Sequence, residues 1–287
     1  MLNFEVIVVD NASSDGSVVQ IEKEFPQVEL IANIENLGFA TANNQGLKVS
    51  KGRHLLLLNS DTIVLERALN KIVLFADTQS SAGIIGCRIL NSDMTLQRSC
   101  FKFPSLLNMG IAVIYFNQLF SMNKFWGRER MTWWNYEEER EVDVVLGAFM
   151  LVRREAFLQV GGLDESFFMY GEETDWCWQF KKNGWKVLYA PVAKIVHLGG
   201  QSSKQVKRKM LLQLRSGILK FIKKNRHFGI YILACVLTSV WFLVRIPPWI
   251  LLMLIKPGQW SKILMRINIY FEGAWKSLCG WQMLSSK

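Results

Sequence analysis

Four consecutive leucines, Leu55, Leu56, Leu57 and Leu58, run directly into Asn59, Ser60 and Asp61. A run this short and apolar, opened after Gly52 and closed by a polar turn, reads as a strand buried on both faces. The polar triplet then lies at the carboxyl edge of a parallel sheet, where open α/β folds bind ligands. An Asp placed there among small polar residues suits a divalent metal that carries phosphates.

The flanking pattern extends this strand into a sheet. Residues 4–9 read as a strand, a polar turn follows over 10–17, and a helix runs over 17–24 until Pro26 ends it. Residues 28–32 form a second strand, 36–38 a turn, 39–50 a helix, 54–58 the leucine strand, 66–76 a helix and 84–90 a strand. Strands alternating with helices predict an α/β fold with a doubly wound, mostly parallel sheet. Residues 91–141 are rich in aromatics and weakly periodic, which predicts irregular structure with one short helix near 106–120. Beyond them the pattern predicts a strand over 142–152, helices over 153–160 and 172–183, and two short strands over 187–189 and 193–197. A long basic helix is expected over 204–224. Seventeen uncharged residues, 228–244, lead to Arg245, Pro247 and Pro248 and a further apolar run over 249–255.

Charge divides the 287-residue chain, whose net charge is +10. Residues 201–287 carry 15 Lys or Arg and one acid, Glu272, while the rest carries 19 bases against 23 acids. A mildly acidic domain over 1–202 is therefore expected to precede a basic, apolar helical region over 203–287. Because its cations interleave with a membrane-like apolar run, an anionic membrane surface is the expected partner and nucleic acid is not. Flanking cations with Trp241, Trp249 and Trp260 favour helices lying in one leaflet over a spanning helix. A buried helical hairpin is the plainer alternative. The five cysteines are far apart and form no C-x-x-C pair, which argues against a zinc site or a disulfide framework and fits a reducing compartment. The apolar N-terminal stretch contains Glu5 and stops at Asp10, so no signal peptide is expected.

Four polar segments could carry chemistry. Asp10, Asn11, Ser13 and Asp15 lie between a strand and a helix start and suit a base edge or a ribose, although the same residue types cap ordinary turns. Asp61 taken alone is a strand-end turn residue. Glu172, Glu173 and Asp175 crowd one predicted helix start. The helix dipole accommodates them there, and mutual repulsion raises their pKa toward that of a general base. His197 follows an apolar strand, and at a sheet edge beside Asp61 it would suit a metal.

In order and spacing, these segments resemble family 2 glycosyltransferases, specifically the bacterial branch that includes rhamnosyltransferases of cell-surface polysaccharide assembly. The matching residues are 8–17, 36–46, 55–62, 147–157 and 161–202. The resemblance implies a GT-A fold, a nucleotide-sugar donor such as dTDP-rhamnose or a UDP-sugar, and a divalent metal, Mg²⁺ or Mn²⁺. It implies inverting hexosyl transfer to a glycan or lipid-linked acceptor at the cytoplasmic face of the bacterial inner membrane. By the same resemblance, Asp61 matches the last Asp of the strand-end metal motif, Asn59 stands where a fuller motif has an acid, and His197 completes the metal shell. Asp10, Asn11, Ser13 and Asp15 match the base-binding turn. Asn36, Gly38, Asn43 and Asn44 match the segment lining the nucleotide. Glu172 and Glu173 match the pair that holds the general base, with Glu173 in place of the usual Asp, and Asp175 matches a further acid. The family pattern places one more strand and helix ahead of residue 4. That difference and Glu173 also admit an inactive remnant that binds nucleotide or membrane without turnover.

Overall fold

The computed structural model describes residues 2–199 and 207–281. The chain divides into one unit of Met1–Phe103 with Trp134–Gln201 and a second of Pro104–Trp133 with Ser202–Lys287. The expected boundary near residue 202 is thus joined by a second crossing, because the segment 104–133 belongs with the C-terminal helices. In chain order the elements are β1 (Ile7–Asp10), α1 (Ser17–Glu24), β2 (Glu29–Ala32), α2 (Phe39–Val49), β3 (His54–Leu58), β4 (Thr62–Val64), α3 (Ala68–Thr78), β5 (Ala82–Leu90), β6 (Leu96–Gln97) and β7 (Cys100–Phe101). Helices α4 (Leu106–Val113) and α5 (Phe116–Leu119) follow, then β8 (Arg140–Glu141), β9 (Val144–Val145), β10 (Phe149–Arg153), α6 (Arg154–Val160), α7 (Glu172–Lys182) and β11 (Lys186–His197). The chain ends in α8 (Lys207–Asn225), α9 (Phe228–Leu243), α10 (Ile246–Ile255) and α11 (Trp260–Leu278). Residues 204–206 of the expected basic helix lie outside the described residues.

In the first unit, the main sheet has the order β3-β10-β5-β11-β4, with β6 on β5 and β8 on β11. The α/β class stands, but the sheet is mixed and not mostly parallel. β11 runs parallel to β5, whereas β10 runs antiparallel to both β3 and β5, and β4 antiparallel to β11. Strands covered on both faces look alike in sequence whichever way they run. β1 and β2 form their own parallel pair, which leaves β3 at the end of the main sheet. Leu55 and Leu57 are accordingly buried while Leu58 is exposed, so the leucine strand is not covered evenly on both faces.

Local chemistry explains the other shifts. The third helix starts after residue 67 because Glu66 and Arg67 both have positive φ. The strand expected over 142–152 breaks at Leu146, Gly147 and Ala148 into β9 and β10. The two strands expected over 187–197 merge into β11, whose register slips between Ala190 and Lys194 around Pro191. A proline cannot donate to the ladder, so an irregularity there is its ordinary place.

Helix α3 packs on the sheet through Ile72, against Ile85, Ile89, Phe149, Leu151 and Ile195. The Arg153 guanidinium donates to the Ala76, Gln79 and Ala82 carbonyls, satisfying acceptors that the helix end leaves open. Trp134 stacks on Tyr136 in the interior, Tyr189 meets both rings edge-on, and Tyr189 Oη donates to the Tyr136 carbonyl. These aromatics of the irregular stretch are therefore core residues.

In the second unit, α9 lies among α4, α8, α10 and α11. A Cβ on Gly273 would meet the Phe242 ring at 2.4 Å, so the glycine lets α11 approach α9 closely. Arg245 is buried, donates to the Trp241 and Ala112 carbonyls, and lies over the Trp241 and Tyr115 rings. Phe228–Ile255 is long and apolar enough to cross a membrane by length and composition, but much of it packs inside this unit.

Candidate active site

Several polar turns of the first unit are tied into one region by hydrogen bonds. The hub of the first turn is Asn11. Its Nδ2 donates to Asn36 Oδ1 at 2.9 Å and to the Gly38 carbonyl at 3.2 Å, and its Oδ1 accepts from the Leu37 amide at 3.0 Å. Asp10 is buried, and its carboxylate accepts the Ser13 amide at 2.9 Å. Asp15 accepts both the amide and the hydroxyl of Ser17, which hold its carboxyl below the usual range. Asn11 thus joins the turn after β1 to the start of α2.

The start of α2 meets the loop that leads into α7. The Phe39 amide donates to the Phe168 carbonyl at 2.9 Å, and Gly38 adopts φ +85° where a Cβ would fall 2.6 Å from that carbonyl oxygen. Asn44 is buried. Its Nδ2 donates to the Leu163 carbonyl and Glu165 Oε1, and its Oδ1 accepts from the Leu163 amide. Asn43 donates back to the Phe39 carbonyl of its own helix. Of Asn43 and Asn44, both expected to line a nucleotide, Asn44 spends its two amide hydrogens and an oxygen lone pair on bracing the 163–165 loop.

Glu172, Glu173 and Asp175 occupy the first turn of α7, whose burial is fixed by Trp176, Cys177 and Phe180. Glu172 is 4 % exposed, and its Oε2 has no hydrogen-bond partner. Burial, then the charge of Glu173, pushes the Glu172 carboxyl well up, and burial raises Glu173 as well. Asp175 is buried too. Glu173 is less enclosed than Glu172, and its carboxylate accepts from the Gly171 amide at 3.2 Å. A Cβ on Gly147 would sit 3.9 Å from Glu173 Cβ and 3.4 Å from the Phe39 ring. Next to Gly147, the Ala148 carbonyl accepts the Asn59 amide at 3.1 Å. The break in the expected strand thus links the α7 carboxylates, the α2 start and the end of β3.

Asp61 and His197 meet at that end. Thr62 of β4 pairs with His197 of β11, and the Leu198 amide donates to the Asp61 carbonyl at 2.9 Å. This register sets His197 Nε2 3.2 Å from Asp61 Oδ1 and 3.4 Å from Asn59 Nδ2. Two neighbouring ligands of an octahedral divalent ion, each about 2.1 Å from it, stand about 3 Å apart. Carboxylate with imidazole is also a donor set that Mn²⁺ accepts. The pair therefore fits a metal that takes its remaining ligands from phosphate and water. Among the described residues no group of three or more His, Cys, Asp or Glu side chains forms an all-protein cage. Sequence reasoning missed Gln97, whose Oε1 lies 2.8 Å from His197 Nδ1. It sits on a two-residue strand inside the aperiodic stretch, where nothing marked it.

A family model described as "Glycosyl transferase family 2" matches residues 1–161. An N-acetylglucosaminyl-diphospho-decaprenol L-rhamnosyltransferase of Mycobacterium tuberculosis is 30% identical over 208 residues, which span 67% of this chain and 66% of that relative. Rhamnosyltransferase WbbL of Escherichia coli is 25% identical over 203 residues, covering 68% and 73%. Among solved structures, the mannosyltransferase PcManGT from Pyrobaculum calidifontis, in complex with GDP-Man and Mn²⁺, aligns with a TM-score of 0.54 at 16% identity over 97% of this chain and 79% of that one. GalNAc-T7 with UDP, GalNAc and Mn²⁺ aligns with a TM-score of 0.51 at 14% identity over 76% and 41%. These likenesses show a common GT-A fold.

Proposed function

Because the chain belongs to glycosyltransferase family 2, we propose that it moves a sugar, with inversion, from a nucleoside-diphosphate donor to a hydroxyl of a glycan or lipid-linked acceptor in cell-surface polysaccharide synthesis. The observation that carries this reading is the meeting of Asp61 and His197 at the sheet edge, tied through Asn59, Ala148 and Gly147 to the buried carboxylates of α7. Rhamnose from its thymidine diphosphate is the donor suggested by the rhamnosyltransferase relatives.

In this reading Asp61 and His197 hold Mg²⁺ or Mn²⁺, which when bound offsets charge on the leaving diphosphate. The turn from Asp10 to Asp15 and the adjoining Asn36 and Gly38 receive the base and ribose. Glu173 is the general base. Its carboxylate takes the proton of the acceptor hydroxyl as that oxygen bonds to the anomeric carbon and the bond to the diphosphate oxygen breaks. Burial and the charge of Glu173 push the Glu172 carboxyl well up, which favours its neutral form and eases like-charge repulsion on Glu173. Burial raises the pKa of Glu173, which makes it a stronger base than a solvated glutamate. The proposed acid–base roles do not require an Asp at position 173, and the inactive alternative is not favoured.

The second unit is read as the membrane-docking part, at the cytoplasmic face. Exposed apolar residues on α9, α10 and α11, among them Leu233, Leu254, Ile255, Phe271 and Trp275, share that unit with most of the excess cations. That combination suits an anionic interface.

The test is transfer by the full chain. With Mn²⁺ and a panel of nucleotide sugars, one donor should be consumed and Asp61→Ala should stop it. Unchanged turnover in Asp61→Ala would remove Asp61 from the metal site.

A further inference from the structure

The geometry points to Gln97 as the residue that sets His197 for metal binding, through a hydrogen-bond relay that begins at the surface carboxylate of Asp93. The inference rests on reading Asp61 and His197 as metal ligands and adds a positioning residue to that site.

Two β5 neighbours bring the parts together. β6 pairs antiparallel with β5, placing Gln97 opposite Ile89, and β11 pairs parallel with β5 up to Val196 opposite Leu90. The side chains of Gln97 and His197 meet over the end of β5, with Gln97 Oε1 2.8 Å from His197 Nδ1. Gln97 Nε2 in turn donates to Asn91 Oδ1 at 3.1 Å, and Asn91 Nδ2 donates to Thr95 Oγ1 at 2.9 Å. The Thr95 hydroxyl donates to the Asp93 carboxylate, which also accepts the Thr95 amide.

The end of this chain decides its direction. An ionised carboxylate can only accept. The two hydrogen bonds from Thr95 hold Asp93 below the usual carboxylate range, so it stays ionised near neutral pH. Thr95 must then point its hydrogen at Asp93 and offer a lone pair to Asn91. Asn91 must present its NH₂ to Thr95 and its oxygen to Gln97, and Gln97 must present its oxygen to His197. His197 Nδ1 is the only partner left to donate, so it carries a hydrogen. The Nε2 lone pair of the neutral ring then faces Asp61 Oδ1 at 3.2 Å. A divalent cation between them would take a lone pair from each. Second-shell acceptors on the far nitrogen of a ligating histidine fix its tautomer and orientation in this manner.

Two measurements on the full-length chain test this. The first needs no substitution. ¹⁵N NMR of histidine-labelled, metal-free protein, taken where the imidazole is neutral and assigned with His197→Asn, should show Nδ1 protonated and Nε2 bare. A ring protonated at Nε2 with Nδ1 bare overturns the proposal. The second is Mn²⁺ titration followed by electron paramagnetic resonance. Gln97→Leu should weaken Mn²⁺ binding about 10- to 100-fold, and Gln97→Glu, which keeps an acceptor toward Nδ1, should restore it to within a few fold. Wild-type affinity in Gln97→Leu overturns the role of Gln97. A wild-type chain that does not bind Mn²⁺ saturably overturns the metal reading itself, and this inference with it.

Discussion

Asp61 Oδ1 stands 3.2 Å from His197 Nε2 because Thr62 and His197 are paired residues of β4 and β11. The contact is a product of strand register. β4 has only three residues, yet it turns a strand-end carboxylate toward the end of the longest strand of the sheet. Slipping that pairing by one residue would point His197 to the opposite face.

Glu172 gives a pH-dependent stability with a definite sign. Burial raises its folded-state pKa above its unfolded value. The folded state therefore binds the proton more tightly, and stability falls as pH rises from about 4.5 through the raised folded pKa. Glu172→Gln, which has no proton to lose, should melt higher than the wild type at pH 8. The gap should shrink toward pH 5. Melting curves at the two pH values check this, and an unchanged difference would exclude a raised Glu172.

Glu173 should govern the acid limb of catalysis. The base must be ionised to accept a proton, so kcat/KM should rise with pH through a value above that of an ordinary glutamate. Glu173→Gln should lower kcat by about 10²- to 10⁴-fold, with a far-UV spectrum like that of the wild type. A Glu173→Gln enzyme with wild-type kcat would assign the proton to another group.

Gly38 and Gly16 share φ +85° but differ in surroundings. A Cβ at Gly16 meets nothing within 4 Å, whereas at Gly38 it strikes the Phe168 carbonyl and ring. Gly16→Ala should cost about 1 kcal/mol, from backbone conformation alone. Gly38→Ala should cost about 2–4 kcal/mol, because the α2 start and the 161–171 loop must also move. Urea denaturation of both variants measures the contrast, and equal losses would contradict the close packing at Phe168.

The second unit should bind vesicles. Co-sedimentation should be stronger with anionic than with neutral lipid and should weaken with salt. Joint replacement of Leu254 and Trp275, 77% and 69% exposed, by Asp should reduce it by about tenfold or more. Indifference to both lipid charge and these substitutions would leave the exposed apolar face for another partner.

Much of this candidate site's arrangement was legible in the sequence because its parts sit where patterns change. Asp61 ends a run of four leucines, Asp10 ends a run of valines, and Glu172 opens an amphipathic helix after Gly171. Each is marked by a switch from apolar to polar. Strand direction was not legible, since residues 149–152 are apolar and buried whether the strand runs parallel or antiparallel to its neighbours. Nor was the partner of His197 Nδ1. Gln97 lies 100 residues earlier on a two-residue strand, and only the register of two strands against β5 joins them. Asn44 reads as a polar residue on an open helix face, but 119 residues of separation conceal the Leu163 backbone that occupies it.

Asp61 and His197 are proposed to hold the metal of a sugar-transfer site. The most direct test is nucleotide-sugar consumption by purified full-length chain, measured with Mn²⁺, with chelator, and in Asp61→Ala. The expected result is turnover of one donor with Mn²⁺, loss of it with chelator, and at least about 10²-fold loss in Asp61→Ala with the fold retained. Turnover that persists equally in chelator and in Asp61→Ala would rule out a metal held by Asp61 and His197.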